Sequence, residues 1–311
     1  MSAGTVLLLG ATGTIGRATH DALRTAGYVV IAPVRAGSCT DGLDADSVRY
    51  DPVDAVLREG RCDAVISCIA SRTGLDAWDV DYGLNSAALK AAVAAGVGQF
   101  VLLSAICVQK PQLAFQHAKL AFEAELRAAP LTWSIVRPTA FFKSLSGQMD
   151  RVRRGKPFLL FGDGALTACK PISDRETGQY LVKCLTDPEL QNRILPIGGP
   201  GPAISPREQG EMLFDALDLP PKFTPVPLAL MRGIIAGLTP LGMLSPKLRE
   251  KAELARIGHY YATESMLVWD SEHGQYDADK TPEFGEDLLT DHYRALAAGT
   301  VEDNRGSHAV F

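Results

Sequence analysis

A short apolar run followed at once by three spaced glycines is the feature of this sequence that most restricts its fold. Residues 5–9 (TVLLL) are continuously apolar, Gly10, Gly13 and Gly16 follow, and residues 14–26 have helical spacing. In this order, the first glycine permits a sharp turn, the second lets backbone approach a ligand, and the third lets the helix pack on the strand. Backbone N–H groups at the start of the helix then face negative charge. We therefore predict a strand–turn–helix unit that binds a diphosphate.

The spacing of the glycines narrows the ligand further. The pattern is G-x-x-G-x-x-G, and no Lys-Ser or Lys-Thr pair follows, as a P-loop would require. A tight structural turn without a ligand is the alternative. The residues predicted to line the phosphate site are Gly10, Thr12, Gly13, Thr14, Ile15 and Gly16.

Apolar strand-like runs alternate with helical segments through the first half of the chain. Such alternation implies right-handed βαβ units, so we predict an α/β fold with a Rossmann-type, doubly wound parallel sheet. The predicted strands are 5–9, 28–34, 48–50, 64–68, 99–103 and 133–136, and the predicted helices between them are 14–26, 53–59, 78–95 and 115–128.

The end of the second strand bears on which dinucleotide binds. An acidic residue there would accept a hydrogen bond from the 2′-hydroxyl of NAD(H), but the strand leads into Arg35 and no carboxylate follows until Asp41. A guanidinium suits a 2′-phosphate, so Arg35, helped by Arg17, predicts NADPH as the cofactor. A solvated loop arginine is the alternative. Asp51, after the third strand, is a candidate for the adenine amine, with an ordinary turn aspartate as its alternative.

The alternating rhythm changes after about residue 137. Residues 141–155 are predicted to form a helix, and residues 158–161 and 194–197 to form strands. We predict that residues 1–200 form the NADP(H)-binding domain, with 141–165 contributing to a substrate site. Residues 201–311 are predicted to form a smaller C-terminal substrate lobe.

Charge and cysteine usage exclude other classes of protein. The formal net charge is -5 and no long basic run occurs, which argues against nucleic-acid binding. The six cysteines form no CxxC pair and have no ligand-like spacing to histidine, so we predict no metal site and reduced thiols. The sequence also lacks the pattern of a signal or transit peptide, and we expect a bacterial cytoplasmic protein.

Several stretches resemble an atypical short-chain dehydrogenase/reductase, namely the glycine motif, the helix with Asn85, the segment with Ser104 and the helix with Lys119. A narrower resemblance is to the NADPH-dependent divinyl chlorophyllide 8-vinyl reductases. It is carried by LSAICVQKP (103–111), AKLAFE (118–123), FFKSLSGQ (141–148), YYATESML (260–267) and TPEFG (281–285).

The narrower resemblance implies a photosynthetic function: reduction of the 8-vinyl group of divinyl chlorophyllide or protochlorophyllide to ethyl in (bacterio)chlorophyll synthesis. It implies that Lys119 is catalytic and binds the nicotinamide ribose, with a surface lysine as the alternative. Ser104 follows a strand's carboxyl end, where such sheets bind ligands, so we predict that it contacts the cofactor, with a plain turn serine as the alternative. Phe115 stands where common short-chain reductases have a tyrosine, four residues before the lysine. A vinyl substrate fits this difference better than a ketone, because no alkoxide oxygen needs a proton.

A flat tetrapyrrole needs a wide apolar slot with few polar anchors. The candidates are Tyr261 and four residues that share one face of a predicted helix, Phe141, Phe142, Leu145 and Met149. Tyr261 and His117 are candidate proton sources, with a packing or surface role as the alternative. Residues 227–244 are unusually apolar, and core packing, a pigment lid and contact with a photosynthetic membrane are all compatible with them. Two other functions stay open at this point: another NADPH-dependent double-bond reductase, and a non-catalytic NADP(H)-binding sensor or assembly protein.

Overall fold

The computed structural model describes residues 3–60 and 62–301, so the outer ends of both predicted domains, residues 1–2 and 302–311, lie outside the described residues. Eleven strands occur within the described ranges. In chain order they are β1 (Thr5–Leu9), β2 (Val29–Pro33), β3 (Val48–Arg49), β4 (Ala64–Ser67), β5 (Gln99–Leu103), β6 (Thr132–Pro138), β7 (Phe158–Phe161), β8 (Arg193–Ile197), β9 (Phe223–Val226), β10 (Val268–Asp270) and β11 (Gln275–Asp277).

Seven of these strands form one parallel sheet in the order β3-β2-β1-β4-β5-β6-β8. The chain passes outward from β1 to β3 and then returns to the other side of β1 with β4. This reversal opens a crevice at the carboxyl ends of β1 and β4, where sheets of this kind bind ligands. The predicted Rossmann-type doubly wound sheet is confirmed.

Eleven α-helices accompany the strands within the same ranges. They are α1 (Thr14–Thr25), α2 (Val53–Glu59), α3 (Asn85–Ala94), α4 (Ala114–Arg127), α5 (Phe142–Leu145), α6 (Met149–Arg153), α7 (Asp174–Lys183), α8 (Pro206–Ala216), α9 (Leu228–Leu241), α10 (Pro246–Thr263) and α11 (Leu289–Ala298). Short 3₁₀ turns lie at Ile106–Gln109 and Pro188–Leu190.

The helices cover both faces of the sheet, which explains its continuously apolar strands. Side chains alternate along β1, so Val6 and Leu8 join the core under α1 and α7. Leu7 and Leu9 join the opposite core, under α2, α3 and α4.

A second lobe surrounds the parallel pair of β7 and β9, in which Phe158 lies opposite Phe223. Helices α5, α6, α8 and α11 supply a separate core that includes Phe142, Met149 and Tyr293. Because β7 precedes β8 and β9 follows it, this lobe is assembled from two separate parts of the chain.

The prediction of one helix over residues 141–155 is wrong. The structure has α5, a turn, and then α6. Ser146 is buried in the turn, where its hydroxyl donates to the Phe142 carbonyl. The Gln148 amide meanwhile pairs with both backbone groups of Leu159 on β7. These contacts with the second lobe stabilise the break.

The predicted helix over residues 78–95 is also modified, since it begins as a π-helix at Trp78–Leu84 and continues as α3. π-Helical turns are rare and concentrate at functional sites. Further along, α9 and α10 pack against each other. The far half of α10 packs through Ile257 and Tyr260 on Ile106 and Leu113, beside the end of β5. In the described part of the chain, no helix is long and apolar enough to cross a membrane.

Candidate active site

The glycine turn between β1 and α1 is too tight for side chains at two of its positions. Gly10 has a φ of +76°, and a Cβ there would lie 2.8 Å from the Cys68 carbonyl at the end of β4. A Cβ on Gly16 would lie 2.1 Å from the Gly10 oxygen. Both glycines are therefore required by the close approach of β4, the turn and α1.

The start of α1 is free to receive an anion. Gly13 is its N-cap, so no side chain caps the helix, and the first turn carries no acidic residue. The first amides of a helix lack intrahelical acceptors and lie at the positive end of its dipole. Thr12 and Thr14 flank this mouth half-buried, whereas Ile15 is buried and anchors α1 to the core.

The loop after β2 lies beside α1, and it begins with Arg35, one of the two residues predicted to bind a 2′-phosphate. Arg35 is exposed, and its guanidinium has no hydrogen-bond or ion-pair partner among the described residues. Arg17 reaches from α1 to the same loop, where its Nη2 donates to the Cys39 carbonyl at 2.9 Å. The fold thus brings Arg17 to the loop that begins at Arg35. Asp51 is exposed after β3.

Lys119 is a buried residue of α4, and its ammonium lies 2.9 Å from Oδ1 of Asp81. Asp81 belongs to the π-helix and is 1 % exposed. Its second oxygen accepts from the Ser71 amide at 3.1 Å. The surface-lysine alternative for Lys119 is therefore excluded.

The Asp81 backbone is held in turn by the end of β4. Asn85 donates through Nδ2 to the Asp81 carbonyl at 2.9 Å, and the Ser67 hydroxyl donates to Oδ1 of Asn85. Asn85 therefore joins the end of β4 to the π-helix. Asp81 was not predicted as a site residue, although its position four residues before Asn85 puts both on one side of a helical segment.

Ser104 lies at the carboxyl end of β5, and its hydroxyl donates to the buried Glu123 carboxylate. Arg137 of β6 forms an ion pair with the same carboxylate. Glu123 stands one helical turn after Lys119, so these bonds fix α4 against the ends of β5 and β6. Glu123 and Arg137 were not predicted, because their partnership joins elements far apart in the chain. Because the Ser104 hydroxyl already donates to Glu123, its oxygen can serve only as an acceptor for a further partner.

Tyr261, of α10, lies against the segment that follows β5. The residue is 40 % exposed, and its hydroxyl is 4.0 Å from the Sγ of the buried Cys107. Burial of the hydroxyl, together with Cys107, raises the pKa of Tyr261 well above its usual value. The phenol therefore keeps its proton at neutral and moderately alkaline pH. Phe115 is half-buried nearby and His117 is exposed on α4.

The Lys119 ammonium acts electrostatically on thiols at both sides of the crevice. Burial raises the pKa of Cys68 and of Cys107, and the charge of Lys119 partly opposes both shifts. Cys68 borders Gly10, and Cys107 borders Tyr261. The charge of Lys119 therefore acts on a thiol beside the glycine turn and on a thiol beside Tyr261.

Two of the stretches that carry the narrower resemblance are joined directly. The Tyr260 hydroxyl donates to the Cys107 carbonyl at 2.8 Å, and Lys110 pairs with Glu264 at 2.7 Å. Gln109 bonds the Leu267 carbonyl and the Trp269 amide. These bonds attach α10 and the following segment to the end of β5.

The predicted substrate residues after β6 diverge in space. Phe141 is half-buried against the core under α1 and α7. Phe142 is buried in the second lobe, where its ring lies 5.5 Å from that of His292, and Leu145 is half-buried at the same core. They do not share the predicted helix face, because the chain leaves β6 extended at Phe141 and α5 begins only at Phe142.

Comparison with known proteins agrees with this architecture. Residues 10–188 match a family model described as NAD(P)H-binding. The sequence is 44% identical to the chloroplastic divinyl chlorophyllide a 8-vinyl-reductase of Zea mays, over 99% of this chain and 83% of that protein. The Arabidopsis thaliana protein of the same name is also 44% identical, over 93% of this chain and 75% of that protein.

Solved structures share the fold at low identity. An NADPH-dependent quinone oxidoreductase from Escherichia coli has a TM-score of 0.68 at 14% identity, over 94% of this chain and 99% of that chain. UDP-glucose 4-epimerase of Thermus thermophilus, in complex with NAD, has a TM-score of 0.62 at 17% identity, over 72% of this chain and 86% of that chain. These likenesses establish the fold alone. The sequence identity across both lobes goes further: this chain carries an NAD(P)H-binding domain and belongs to the divinyl chlorophyllide a 8-vinyl-reductase family.

Proposed function

We propose that the protein is an NADPH-dependent oxidoreductase that reduces the 8-vinyl group of a divinyl chlorophyllide or protochlorophyllide to ethyl. The observation that carries this proposal is the 44% identity to the plant reductases across 99% of the chain. That match spans the glycine turn, the Lys119 helix and the second lobe. The product belongs to chlorophyll or bacteriochlorophyll synthesis.

The residues of the crevice fit NADPH. The glycine turn leaves a cradle that a Cβ would fill, and uncapped amides of α1 would hold the diphosphate. Arg35 and Arg17 would hold the 2′-phosphate, and Asp51 the adenine amine. Lys119 would donate to the nicotinamide ribose, and Ser104 would accept from the cofactor. When bound, NADPH supplies the hydride for the vinyl group.

The protein's own residues must deliver the second hydrogen as a proton and exclude water. Phe115 has no proton to give, and the ion pair with Asp81 holds Lys119 in place. Tyr261 keeps its phenolic proton because burial raises its pKa. We propose Tyr261 at the pigment, with its hydroxyl as a donor.

The substrate lobe is proposed to comprise residues 201–311 with residues 141–165, set against a cofactor domain of residues 1–200. Pairing of β7 with β9 supports this division, because it draws residues 158–161 into the second lobe. Phe141 and Leu145 are proposed to contact the pigment, and both are only partly buried. Buried Phe142 would act through the packing of the lobe.

The proposal places the protein in the bacterial cytoplasm, in peripheral contact with a photosynthetic membrane. All six cysteines are free thiols, as is usual in a reducing compartment. A tetrapyrrole with a large apolar ring is found most readily at a lipid surface, and α9 exposes apolar side chains.

The decisive experiment is an assay of the purified protein with NADPH and divinyl chlorophyllide. We expect the Soret band to shift and the pigment mass to rise by two hydrogens. Turnover of other conjugated double bonds, but not of the pigment, would assign another reductase. NADPH binding with no turnover on any pigment or enone would indicate a sensor or assembly protein.

The assay is sharpened by a matched pair of lysine variants. We expect Lys119→Met to lower turnover roughly 100-fold, because the ribose contact that orients the nicotinamide is lost. Lys90→Met, on the exposed face of α3, should leave turnover unchanged. Lys119→Met leaves Asp81 as a buried unpaired charge, so circular dichroism is used to check that the variant is folded. If the variant is unfolded, the double variant Lys119→Met, Asp81→Asn, which removes both charges, is assayed in its place. Near-normal turnover in a folded variant would remove Lys119 from the site.

A further inference from the structure

The pair of helices α9 and α10 ends in the most exposed apolar side chains of the described chain. Met243 and Leu244, in the turn between the helices, are 89 % and 83 % exposed. We call Leu241, Met243 and Leu244 the hairpin tip. Behind it, Leu230 and Ile234 are also exposed at helical spacing, and only Met231 of α9 is buried. One face of α9 and the hairpin tip are therefore left uncovered by the residues that the structure describes.

The same helix pair carries an excess of basic residues. Residues 227–251 contain four basic side chains and one acidic one, a formal charge of +3 in a chain whose total is -5. All four basic residues are exposed, and they are Arg232, Lys247, Arg249 and Lys251. Exposed positive charges on the same helix pair as protruding apolar groups, in a chain of negative total charge, complement a surface that is anionic outside and apolar beneath.

The dimensions of α9 decide how it would meet such a surface. Its 14 residues extend about 21 Å at roughly 1.5 Å per residue, well short of the ~30 Å of a hydrocarbon core. A short helix with an apolar face and basic flanks lies in the plane of the headgroups. The tip can then enter the boundary between headgroups and acyl chains.

We propose that the hairpin tip docks the protein on an anionic lipid surface. Met243 and Leu244 insert, while Arg232, Lys247 and Arg249 contact lipid phosphates. The inference rests on the proposed membrane contact and is independent of the proposed chemistry. Because α10 continues from the tip to Tyr260 and Tyr261, docking sets the direction in which the active site faces the lipid.

The test is co-sedimentation of the full chain with vesicles. We expect binding to vesicles of phosphatidylcholine mixed with phosphatidylglycerol, weaker binding to phosphatidylcholine alone, and loss of the difference in high salt. The double variant Met243→Glu, Leu244→Glu should bind the mixed vesicles at least tenfold more weakly, because two apolar side chains that would enter the lipid are replaced by carboxylates that anionic headgroups repel. Both side chains are almost fully exposed, so the fold should be unchanged.

A matched control carries the same chemical change elsewhere. Val93→Glu alters an exposed apolar residue of α3, far along the chain from the hairpin, and should bind as the wild type does. Equal binding by the tip variant and the wild type would overturn the proposal, as would no binding to the mixed vesicles. A dimer in solution that the tip variant converts to a monomer would assign the tip to a second copy instead. A raised KM for detergent-dispersed pigment in the tip variant would assign it to a pigment lid.

The outcomes also separate docking from chemistry. If the protein reduces the pigment in detergent but ignores vesicles, docking fails and the proposed function stands. If it binds vesicles through the tip but reduces no pigment, the reverse holds.

Discussion

Lys119 and Phe115 show at the scale of single residues how this site differs from a carbonyl reductase. The lysine is kept, but the hydroxyl that would stand one turn before it is replaced by a hydrocarbon ring. The Lys119 ammonium instead forms an ion pair with Asp81, which lies in the π-helix that precedes α3. A buried charge pair of this kind fixes geometry more than it adds stability. We infer that the ammonium is oriented here for binding a ribose, with no phenol to activate.

Arg35 gives a prediction at the same scale. Arg35→Ala should weaken NADPH binding by at least tenfold and change NADH binding little, because only NADPH carries the phosphate that a guanidinium would pair with. Fluorescence titration of both cofactors measures the ratio. Arg58→Ala is the control, since Arg58 is equally exposed but lies on α2, where it pairs with Asp54. Equal losses for NADPH and NADH would remove the 2′-phosphate role.

Residues that act through the backbone or through a local motif could be predicted from the sequence. Gly16 approaches the Gly10 backbone inside the motif, and Gly10 has a positive φ in the turn, so the motif alone reveals both. Asp81 and Glu123 could not be found in this way, because each acquires its role from a partner on a different element. A single sequence, taken alone, contains no signal for such long-range pairs.

At the scale of elements, β1, β5 and β7 were predicted with the bounds that the structure has. These strands are continuous apolar runs with clear turn residues around them. The strands β9, β10 and β11 were missed. Each is only three or four residues long and pairs because tertiary contacts bring its partner close. The break between α5 and α6 was missed for a related reason, since Gln148 is held by β7.

The crossing of α1 and α7 gives a prediction at this scale. Gly178 of α7 lies so close to α1 that a Cβ would stand 2.7 Å from the Ala18 carbonyl. Gly178→Ala should therefore lower the free energy of unfolding by about 1–3 kcal/mol, since backbone cannot give way cheaply. Urea denaturation measures this loss.

The same substitution on α9 should have the opposite sign. A Cβ on Gly233 meets nothing within 4 Å, so Gly233→Ala should add up to about 1 kcal/mol through helix propensity alone. Stabilisation by Gly178→Ala would show that α1 and α7 are not packed as closely as described.

At the scale of the whole molecule, the later segments return to the first sheet and close around it. Glu283 forms an isolated bridge with Gly198, just after β8, and accepts from the buried Lys170 at 2.6 Å. Asp287 pairs with Arg175 at the start of α7. Ion pairs and one backbone bridge therefore tie residues 283–287 to the first sheet and α7, so the stability of the two lobes should be measured together.

These ion pairs predict how stability depends on pH. The hydrogen bond from Lys170 lowers the pKa of Glu283, and the hydrogen bonds from Lys280 and His273 lower that of Asp270. A carboxyl whose pKa is lower when folded contributes stability above its unfolded pKa of about 4 and loses it as the pH falls through the folded value. We expect the urea midpoint to be nearly constant from neutral pH to about 5 and to fall below about 4.

A pair of glutamine variants tests the source of this fall. Glu283→Gln should lower the midpoint at neutral pH and make the acid fall shallower, because the contribution is already lost. Glu211→Gln, at an exposed position of α8, should follow the wild-type curve. An unchanged acid slope in Glu283→Gln would show that other carboxyls control acid stability.

The interleaving of the second lobe also bears on how the chain is made. Strand β7 leaves the ribosome before its partner β9 exists, and α7 and β8 join the first sheet in the interval. Until then, the backbone groups of the apolar strand β7 (FLLF) have no partner strand, and such an unpaired edge is prone to mispairing. Leu289, Tyr293 and Leu296 of α11 join the same core and are synthesised later still. The order in which the elements are synthesised therefore differs from the order in which they can pack. We expect a nascent chain that is stalled before α11 to bind a chaperone.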